Sequence, residues 1–234
     1  GQLVKRLVPN SRPQGMQALV FNTRRSLFGD RRVRRALALV FDFEWTNKNI
    51  FYGQYVRTLS YFANSELAAT GLPAGEELKI LERFKGRIPD AVFKEPYALP
   101  VFAGDGNIRE GLRQALALLK EAGWDFKDGR LVETKSGRAM RFEALLQSQA
   151  DERYILPYAQ NLRRLGIAMD VRLIDPTQYQ KRVEKFDFDV INGGWGQSES
   201  PGNEQRTMWS SAAADTEGGE NHIGIKDKAI DELV

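Results

Sequence analysis

Few side chains in this chain of 234 residues could carry out catalysis. It has one histidine, His222, and no cysteine. Thiol nucleophiles and disulfides are therefore excluded, and a single histidine disfavours a zinc site. A Ser–His–Asp triad would have to use His222, and the sequence has no G-x-S-x-G turn to present its serine. We interpret His222 as a surface residue of a loop.

Asp187 and Asp189 are the one pair of carboxylates whose spacing suggests acid–base chemistry. They are two residues apart and would project from one face of a strand. The alternative, which we favour, is the solvated start of a strand. The sequence also lacks a P-loop, and no G-x-G-x-x-G stands between a strand and a helix. These observations predict a protein that is not an enzyme and that uses no metal and no cofactor.

Arginine is concentrated between residues 24 and 35, where six of the twelve residues are arginines. Such a cluster could bind the phosphates of a nucleic acid or another anionic surface, and this is our alternative function. The other interpretation is a solvated helix face, which we favour because no partner motif accompanies the arginines. The net charge of the whole chain is only +3.

The segment FDFDVINGGW (186–195) is the first candidate for a binding site. Phe188, Val190 and Ile191 predict a buried strand over residues 188–192, and two glycines and Trp195 follow it. Ligands of open α/β sheets collect at the ends of strands. Glycine permits close approach of a ligand to the backbone, and Trp195 offers apolar area with one N–H donor.

The long segment 53–75 is the second candidate. It is polar and aromatic without periodicity, and loops of this length are usually functional or disordered. Its aromatic residues, Tyr55, Tyr61 and Phe62, argue against disorder. We therefore predict an ordered loop that forms a wall of the site, with Arg57, Ser60 and Tyr61 as ligand contacts.

Hydrophobic periodicity predicts how the elements alternate. Residues 1–15 form an irregular lead-in. The predicted elements are a strand at 16–22, helices from Asp30 to about Asp42 and from Thr46 or Asn47 to Phe51, a short helix at 76–85, an extended connection at 86–106, a helix at 108–122 with an Asn107/Glu110 capping box, a hairpin at 129–145, and then helix 151–165, strand 167–174, helix 176–185 and strand 188–192. This alternation predicts an α/β fold with parallel pairing.

The bulk composition, 42% hydrophobic and 28% charged, is typical of a globular domain. No apolar run approaches the roughly 20 residues of a membrane span, and no signal peptide is present. The sequence opens without Met and stops inside a predicted helix. We therefore expect a fragment of a longer protein.

Several blocks resemble the family 5 extracellular solute-binding proteins, the peptide, oligopeptide and nickel receptors of ABC importers. The blocks are GDRRVRRALALVFDFEWTNKNIFYG (29–53), EAGW (121–124), NLRRLGIAMDVRLID (161–175), FDFDVINGGW (186–195) and NHIGIKDKAIDEL (221–233). Their order and spacing carry the resemblance more than any single block does. RRSLFGDRRVRRAL and GGWGQSESPGNEQ are most similar to the Yej-type branch.

The resemblance implies an α/β lobe like those of class II periplasmic binding proteins, with a mixed, mostly parallel sheet flanked by helices. Residues 1–15 would be the lead-in near the hinge, and residues 16–234 would be the second large lobe of a two-lobed receptor. The expected ligand is an oligopeptide or a peptide-like compound. The other expected partners are the second lobe and an ABC permease in the inner membrane, with no nucleic acid. We expect a periplasmic monomer.

In many peptide-binding members, the third residue after the tryptophan is acidic and pairs with the α-amino group of the peptide. Here that position is Ser198, with Glu199 next. Either Glu199 takes over the pairing, or the ligand lacks a free N-terminus. The ligand-binding residues expected around β-strand 188–192 are Gly194, Trp195, Gln197, Ser198 and Glu199.

Overall fold

The computed structural model describes residues 3, 4, 6, 8 and 10–234. Among them are six strands: β1 Met16–Phe21, β2 Trp124–Lys127, β3 Arg130–Glu133, β4 Arg141–Leu146, β5 Ala168–Leu173 and β6 Val190–Trp195. Four strands form a sheet in the order β1-β6-β4-β5. β4 pairs in parallel with both β5 and β6. The predicted α/β class with a mostly parallel sheet is confirmed.

The helices in the described part of the chain are α1 Ser26–Gly29, α2 Arg31–Ala38, α3 Phe43–Asn49, α4 Gly75–Glu82, α5 Ala91–Lys94, α6 Arg109–Glu121, α7 Glu152–Arg163, α8 Pro176–Glu184, α9 Glu204–Trp209 and α10 Lys228–Leu233. None of these helices is long and apolar enough to cross a bilayer.

The chain separates into two compact units. Unit 1 comprises the described residues of Gly1–Gln17, Thr58–Tyr97 and Gly194–Gly202, and unit 2 comprises Ala18–Arg57, Ala98–Gly193 and Asn203–Val234. The predicted lead-in of residues 1–15 therefore belongs to unit 1. The assignment of residues 16–234 to one receptor lobe stays a prediction.

The hydrophobic core of unit 2 lies where α2, α6 and α7 cover the sheet. Its largest fully buried side chains include Phe28, Leu119, Leu146, Ile155 and Leu162. Burying such a side chain contributes roughly 1.5–3 kcal/mol each. The periodic apolar residues of the sequence supply this core, which is why the elements that contain them were predicted best.

The observed helix α2 is shorter than the first predicted helix. Asp30 caps it as expected, because its carboxylate accepts the N–H of Arg32. The helix ends at Ala38, however, because the following turn is held by α7: Tyr158 Oη donates to the carbonyl of Leu37 and Asn161 donates to that of Val40, each at 3.0 Å.

The next helix begins earlier than predicted. α3 starts at Phe43 and not at Thr46 or Asn47, because Asp42 is its N-cap and accepts the N–H of Trp45 at 3.0 Å. The proposed capping box at α6 is also wrong in part. Asn107 accepts the N–H of Arg109, but Glu110 binds the side chains of residues 113 and 114 instead of closing the box.

The hairpin prediction paired β3 with the wrong strand. β3 forms its antiparallel ladder with β2, upstream in the chain, while β4 joins the parallel sheet. One isolated antiparallel bridge, Val132 to Ala139, remains of the predicted pairing. α7 runs from Glu152 to Arg163 and contains Pro157.

β6 also differs from the prediction. It begins at Val190 and continues through the glycine pair to Trp195, whereas the predicted strand ended at Asn192. The glycines allow β6 to approach β1 closely. A Cβ on Gly193 would lie 2.7 Å from Cγ2 of Val20, and one on Gly194 would lie 3.2 Å from the carbonyl oxygen of Met16.

Candidate functional site

Trp195, the last residue of β6, is buried in unit 1, with 5% of its surface exposed. Tyr61 packs on it edge to face, with ring centroids 5.7 Å apart and an interplanar angle of 85°. Such pairs contribute about 0.5–1.5 kcal/mol beyond the area that they bury. The structure therefore brings together one aromatic residue from each of the two segments that the sequence singled out.

The loop that carries Tyr61 is ordered by its own polar side chains. Ser60 Oγ accepts the N–H groups of Phe62 and Ala69, at 3.2 and 3.1 Å. Ser65 Oγ donates to the carbonyl of Phe62 at 2.7 Å. Ser60 was predicted as a ligand contact, and in this structure its hydroxyl oxygen supports the backbone of the loop.

Residues 10–15 support the same loop, which sequence reasoning missed. Asn64 has a positive φ of 66° and donates to the carbonyls of Asn10 and Arg12, each at 3.0 Å. Gln14 donates its N–H to the carbonyl of Ala63 at 2.8 Å. The segment predicted as an irregular lead-in is thus one side of the structure around Tyr61.

Gly15 contacts the backbone of Trp195 directly. A Cβ at this position would lie 2.6 Å from the Trp195 carbonyl oxygen. This distance is shorter than the contacts that Cβ atoms make in proteins. No side chain longer than hydrogen fits there without displacing one of the two segments. The glycine was visible in the sequence, but nothing in it indicated a contact across 180 residues.

The groups exposed beside Trp195 are mainly backbone and short polar side chains. Gly194, Ser198 and Glu199 are exposed, and Gln197 is half-buried. Glu199 lies 3.9 Å from Nε of Arg12, and both side chains are largely exposed. Exposed pairs of this kind contribute little to stability, but the Arg12 charge does offset that of Glu199.

The phenol of Tyr61 stays protonated at neutral pH. Burial raises its pKa above the ordinary value, because the phenolate would lose its hydration. Tyr61 therefore remains a potential hydrogen-bond donor and carries no charge.

Arg57, the remaining predicted contact, belongs to unit 2. Its guanidinium carbon lies 5.8 Å from the ring centroid of Phe41 and 5.4 Å from that of Phe43. Nη1 donates to the carbonyl of Pro100 at 3.4 Å. The cation–π geometry places the guanidinium beside these two rings.

Asp187 and Asp189 are used by the fold. Asp187 pairs with Arg25 at 2.9 Å and with Arg182 at 3.2 Å. Asp189 pairs with Arg25 at 3.2 Å and accepts the N–H of Glu143 at 2.9 Å. A general base needs a free lone pair toward its substrate, and these contacts occupy both carboxylates.

The remaining catalytic candidate, His222, is half-buried, and burial lowers its pKa. Its imidazole is therefore neutral at pH 7. Within the part of the chain that the structure describes, no group of three or more His, Cys, Asp or Glu residues could hold a metal ion.

The arginines between residues 24 and 35 are mostly engaged within the protein. Arg24 donates to the carbonyls of Ala214, Asn221 and His222. The others with partners in unit 2 are Arg25, paired with Asp187, Arg32, paired with Asp30, and Arg34, bound to the carbonyls of Phe28 and Gly29. Four of the six arginines therefore hold loops and helix ends, which argues against a phosphate-binding surface.

Residues 3–217 match the family model of bacterial extracellular solute-binding proteins, family 5, middle region. The chain belongs to this family. It is 44% identical over its whole length to the probable peptide-binding protein YejA of Agrobacterium fabrum, which places it in the Yej branch. It is also 49% identical, over 94% of its length, to the uncharacterized protein y4wM of Sinorhizobium fredii. The chain spans 33–38% of the length of these relatives.

Two solved structures of peptide complexes share the fold. The oligopeptide-binding protein AppA of Bacillus subtilis, in complex with a nonapeptide, aligns over 95% of this chain and 38% of its own, with a TM-score of 0.65 and 20% identity. DppA of Helicobacter pylori, in complex with the peptide STSA, aligns over 95% of this chain and 35% of its own, with a TM-score of 0.61 and 19% identity. Members of the family bind solutes and are not enzymes, so the prediction of a non-enzyme is confirmed.

Proposed function

We propose that this chain is the part of an ABC-importer receptor that contributes one wall of a cleft for oligopeptides or peptide-like compounds. The full-length receptor would be a periplasmic monomer that closes its second lobe over the ligand and delivers it to a permease in the inner membrane. Family membership supports solute binding for import. The relative named as a probable peptide-binding protein supports the peptide class.

The observation that carries the proposal is the contact of the half-buried Tyr61 with the buried Trp195 at the end of β6. Because Trp195 is almost fully covered, its main role would be to hold the backbone of residues 194–199 in place. The exposed backbone of Gly194 and Ser198, with the side chains of Gln197 and Ser198, would then face the ligand. Extended peptides are recognised in this way through their main-chain groups, while their side chains enter tolerant pockets.

The charges beside Trp195 suggest a ligand whose recognised end is not an ammonium group. Ser198 carries no charge, and Glu199 has Arg12 as a neighbour at 3.9 Å. An α-ammonium group would have to compete with that guanidinium for the carboxylate. A peptide with a blocked or missing free N-terminus avoids this competition.

Mass spectrometry of the compounds that co-purify with the natural full-length protein tests the proposal. We expect compounds with peptide bonds, released on denaturation and absent from a Trp195→Ala variant purified in parallel. A Gly71→Ala variant is the matched control, because Gly71 is in unit 1 and a Cβ there meets nothing within 4 Å. Recovery of only non-peptide solutes would contradict the peptide class.

A further inference from the structure

A second cavity, of about 450 Å³, lies within unit 2 where β4 and β6 begin. Its apolar floor includes Phe28, Trp124 and Met140, each no more than 5% exposed. The volume is within the range of small-molecule sites, roughly 300–1,000 Å³. The cavity is formed by unit 2 alone and shares no residue with the Tyr61–Trp195 site.

Three arginines lie at the rim of this cavity. Arg25, Arg138 and Arg141 line it, and Asp189 is the acidic residue among the lining groups. Both oxygens of Asp189 are occupied, one by Nε of Arg25 and the other by the N–H of Glu143. Asp189 therefore already has an arginine and a backbone N–H as partners.

Arg138 differs from the other two arginines of the rim. Arg25 is paired with Asp187 at 2.9 Å, and Arg141 is paired with Asp170 at 2.5 Å. Across residues 10–234, no carboxylate lies within 4.0 Å of the Arg138 guanidinium. An arginine without a carboxylate partner in the described chain thus lines a cavity that has an apolar floor.

We propose that this cavity binds a small organic monoanion, a carboxylate on an aromatic or aliphatic body. The planar guanidinium of Arg138 matches a carboxylate with two parallel N–H···O hydrogen bonds. The apolar body would lie over the floor of Phe28, Trp124 and Met140 and leave water. An inorganic anion would gain nothing from the floor, and a neutral amide would form no charge-assisted pair with Arg138. The site goes beyond the proposed peptide cleft and does not depend on it.

Calorimetric titration of the natural full-length protein with phenylacetate tests this site. Phenylacetamide, which has the same ring and no charge, is the matched ligand control. We expect saturable binding of phenylacetate and at least about tenfold weaker binding of phenylacetamide, because a charge-assisted pair is lost. No saturable phenylacetate binding up to about 10 mM, or equal binding of the two compounds, would overturn the proposal.

Two arginine variants locate the bound carboxylate. Arg138→Gln should weaken phenylacetate binding by about tenfold or more. Arg164→Gln should leave it unchanged, since Arg164 is exposed, has no ion pair in the described chain and does not line the cavity. Both residues are exposed, so circular dichroism melts should match the wild type. Unchanged affinity in a folded Arg138→Gln protein would show that phenylacetate binds elsewhere.

Discussion

At the scale of single residues, Gly15 sets the position of Trp195. A Cβ there would lie 2.6 Å from the Trp195 carbonyl oxygen, so Gly15→Ala must push the two segments apart. We expect this variant to bind the co-purifying ligand at least about tenfold more weakly, with an overpacking cost of about 1–3 kcal/mol in stability. Calorimetry and thermal melts measure the two effects.

Gly71→Ala is the control for Gly15→Ala, because it makes the same chemical change in unit 1 with open space around the new methyl group. If both variants bind as tightly as the wild type, Gly15 does not position the site.

Ser198 is the proposed ligand contact at which recognition of a free peptide N-terminus can be tested. Ser198→Asp places a carboxylate where many peptide receptors of the family carry one, and we expect tighter binding of trialanine than of N-acetyl-trialanine. The gain should be modest, about 1 kcal/mol or less, since Ser198 is exposed. Ser198→Asn is the neutral control of the same shape. Equal gains for Asp and Asn, measured by calorimetry, would exclude an electrostatic effect.

Asp42 is a buried carboxylate whose Oδ2 has no hydrogen-bond partner among the described residues. Burial raises its pKa in the folded state, so the folded protein binds this proton more tightly than the unfolded chain does. The unfavourable contribution is therefore present at pH 7 and disappears as pH falls through the raised pKa. Asp42→Asn should stabilise the protein at pH 7 by about 1 kcal/mol while keeping the cap on Trp45.

Urea unfolding of wild type and Asp42→Asn at pH 7 and pH 4 checks this. The advantage of the variant should shrink at pH 4, where the wild-type carboxyl takes up its proton. An advantage that is the same at both pH values would mean that charge burial is not its cause.

At the scale of elements, Asn64 joins the loop of Tyr61 to residues 10–12. Asn64→Gly keeps the positive φ without strain and removes the hydrogen bonds of the Asn64 side-chain amide to Asn10 and Arg12. Asn64→Ala removes the same bonds and adds a left-handed strain of about 1–2 kcal/mol. We expect faster amide exchange over residues 60–69 in both variants and lower stability in Asn64→Ala. Exchange as slow as in the wild type would show that the loop holds without this amide.

Periodicity in the sequence predicted the elements whose apolar residues face the core. β5 and α8 lie within a residue or so of their predicted bounds. The reason is that Met169 belongs to an apolar pattern with the spacing of a strand, and Val183 to one with the spacing of a helix. Errors arose where distant parts of the chain decide. Hydrogen bonds from Tyr158 and Asn161 end α2, and β3 pairs with β2 instead of β4. Neither contact is indicated by the residue pattern of the element itself.

The site was predictable only in part for the same reason. The sequence singled out Tyr61 and Trp195, and the structure shows that their rings touch. The support from Asn10, Gln14 and Gly15 was missed, because hydrogen bonds to backbone carbonyls place no requirement on residue type. Arg57 lies in unit 2, where two phenylalanine rings and a carbonyl account for its position.

At the scale of the whole molecule, the chain spans about a third of its relatives' length. If the cleft closes between two lobes, this chain alone has only part of the contacts. We expect the 234-residue chain to bind the co-purifying ligand at least about a hundredfold more weakly than the full-length protein does. Calorimetry on both proteins makes the comparison, and nanomolar binding by the 234-residue chain would contradict a cleft of two lobes.

The edge-to-face contact of Tyr61 with Trp195 also gives the protein an internal optical reporter. With ring centroids 5.7 Å apart, light absorbed by the phenol passes efficiently to the indole, so emission from Trp195 reports how the two rings are arranged. Any ligand that moves residues 194–199 changes that emission without a label. These 234 residues hold four tryptophans, so replacing the other three, and any in the rest of the full-length protein, by phenylalanine would isolate the signal. Solutes could then be screened in solution before any of them is identified.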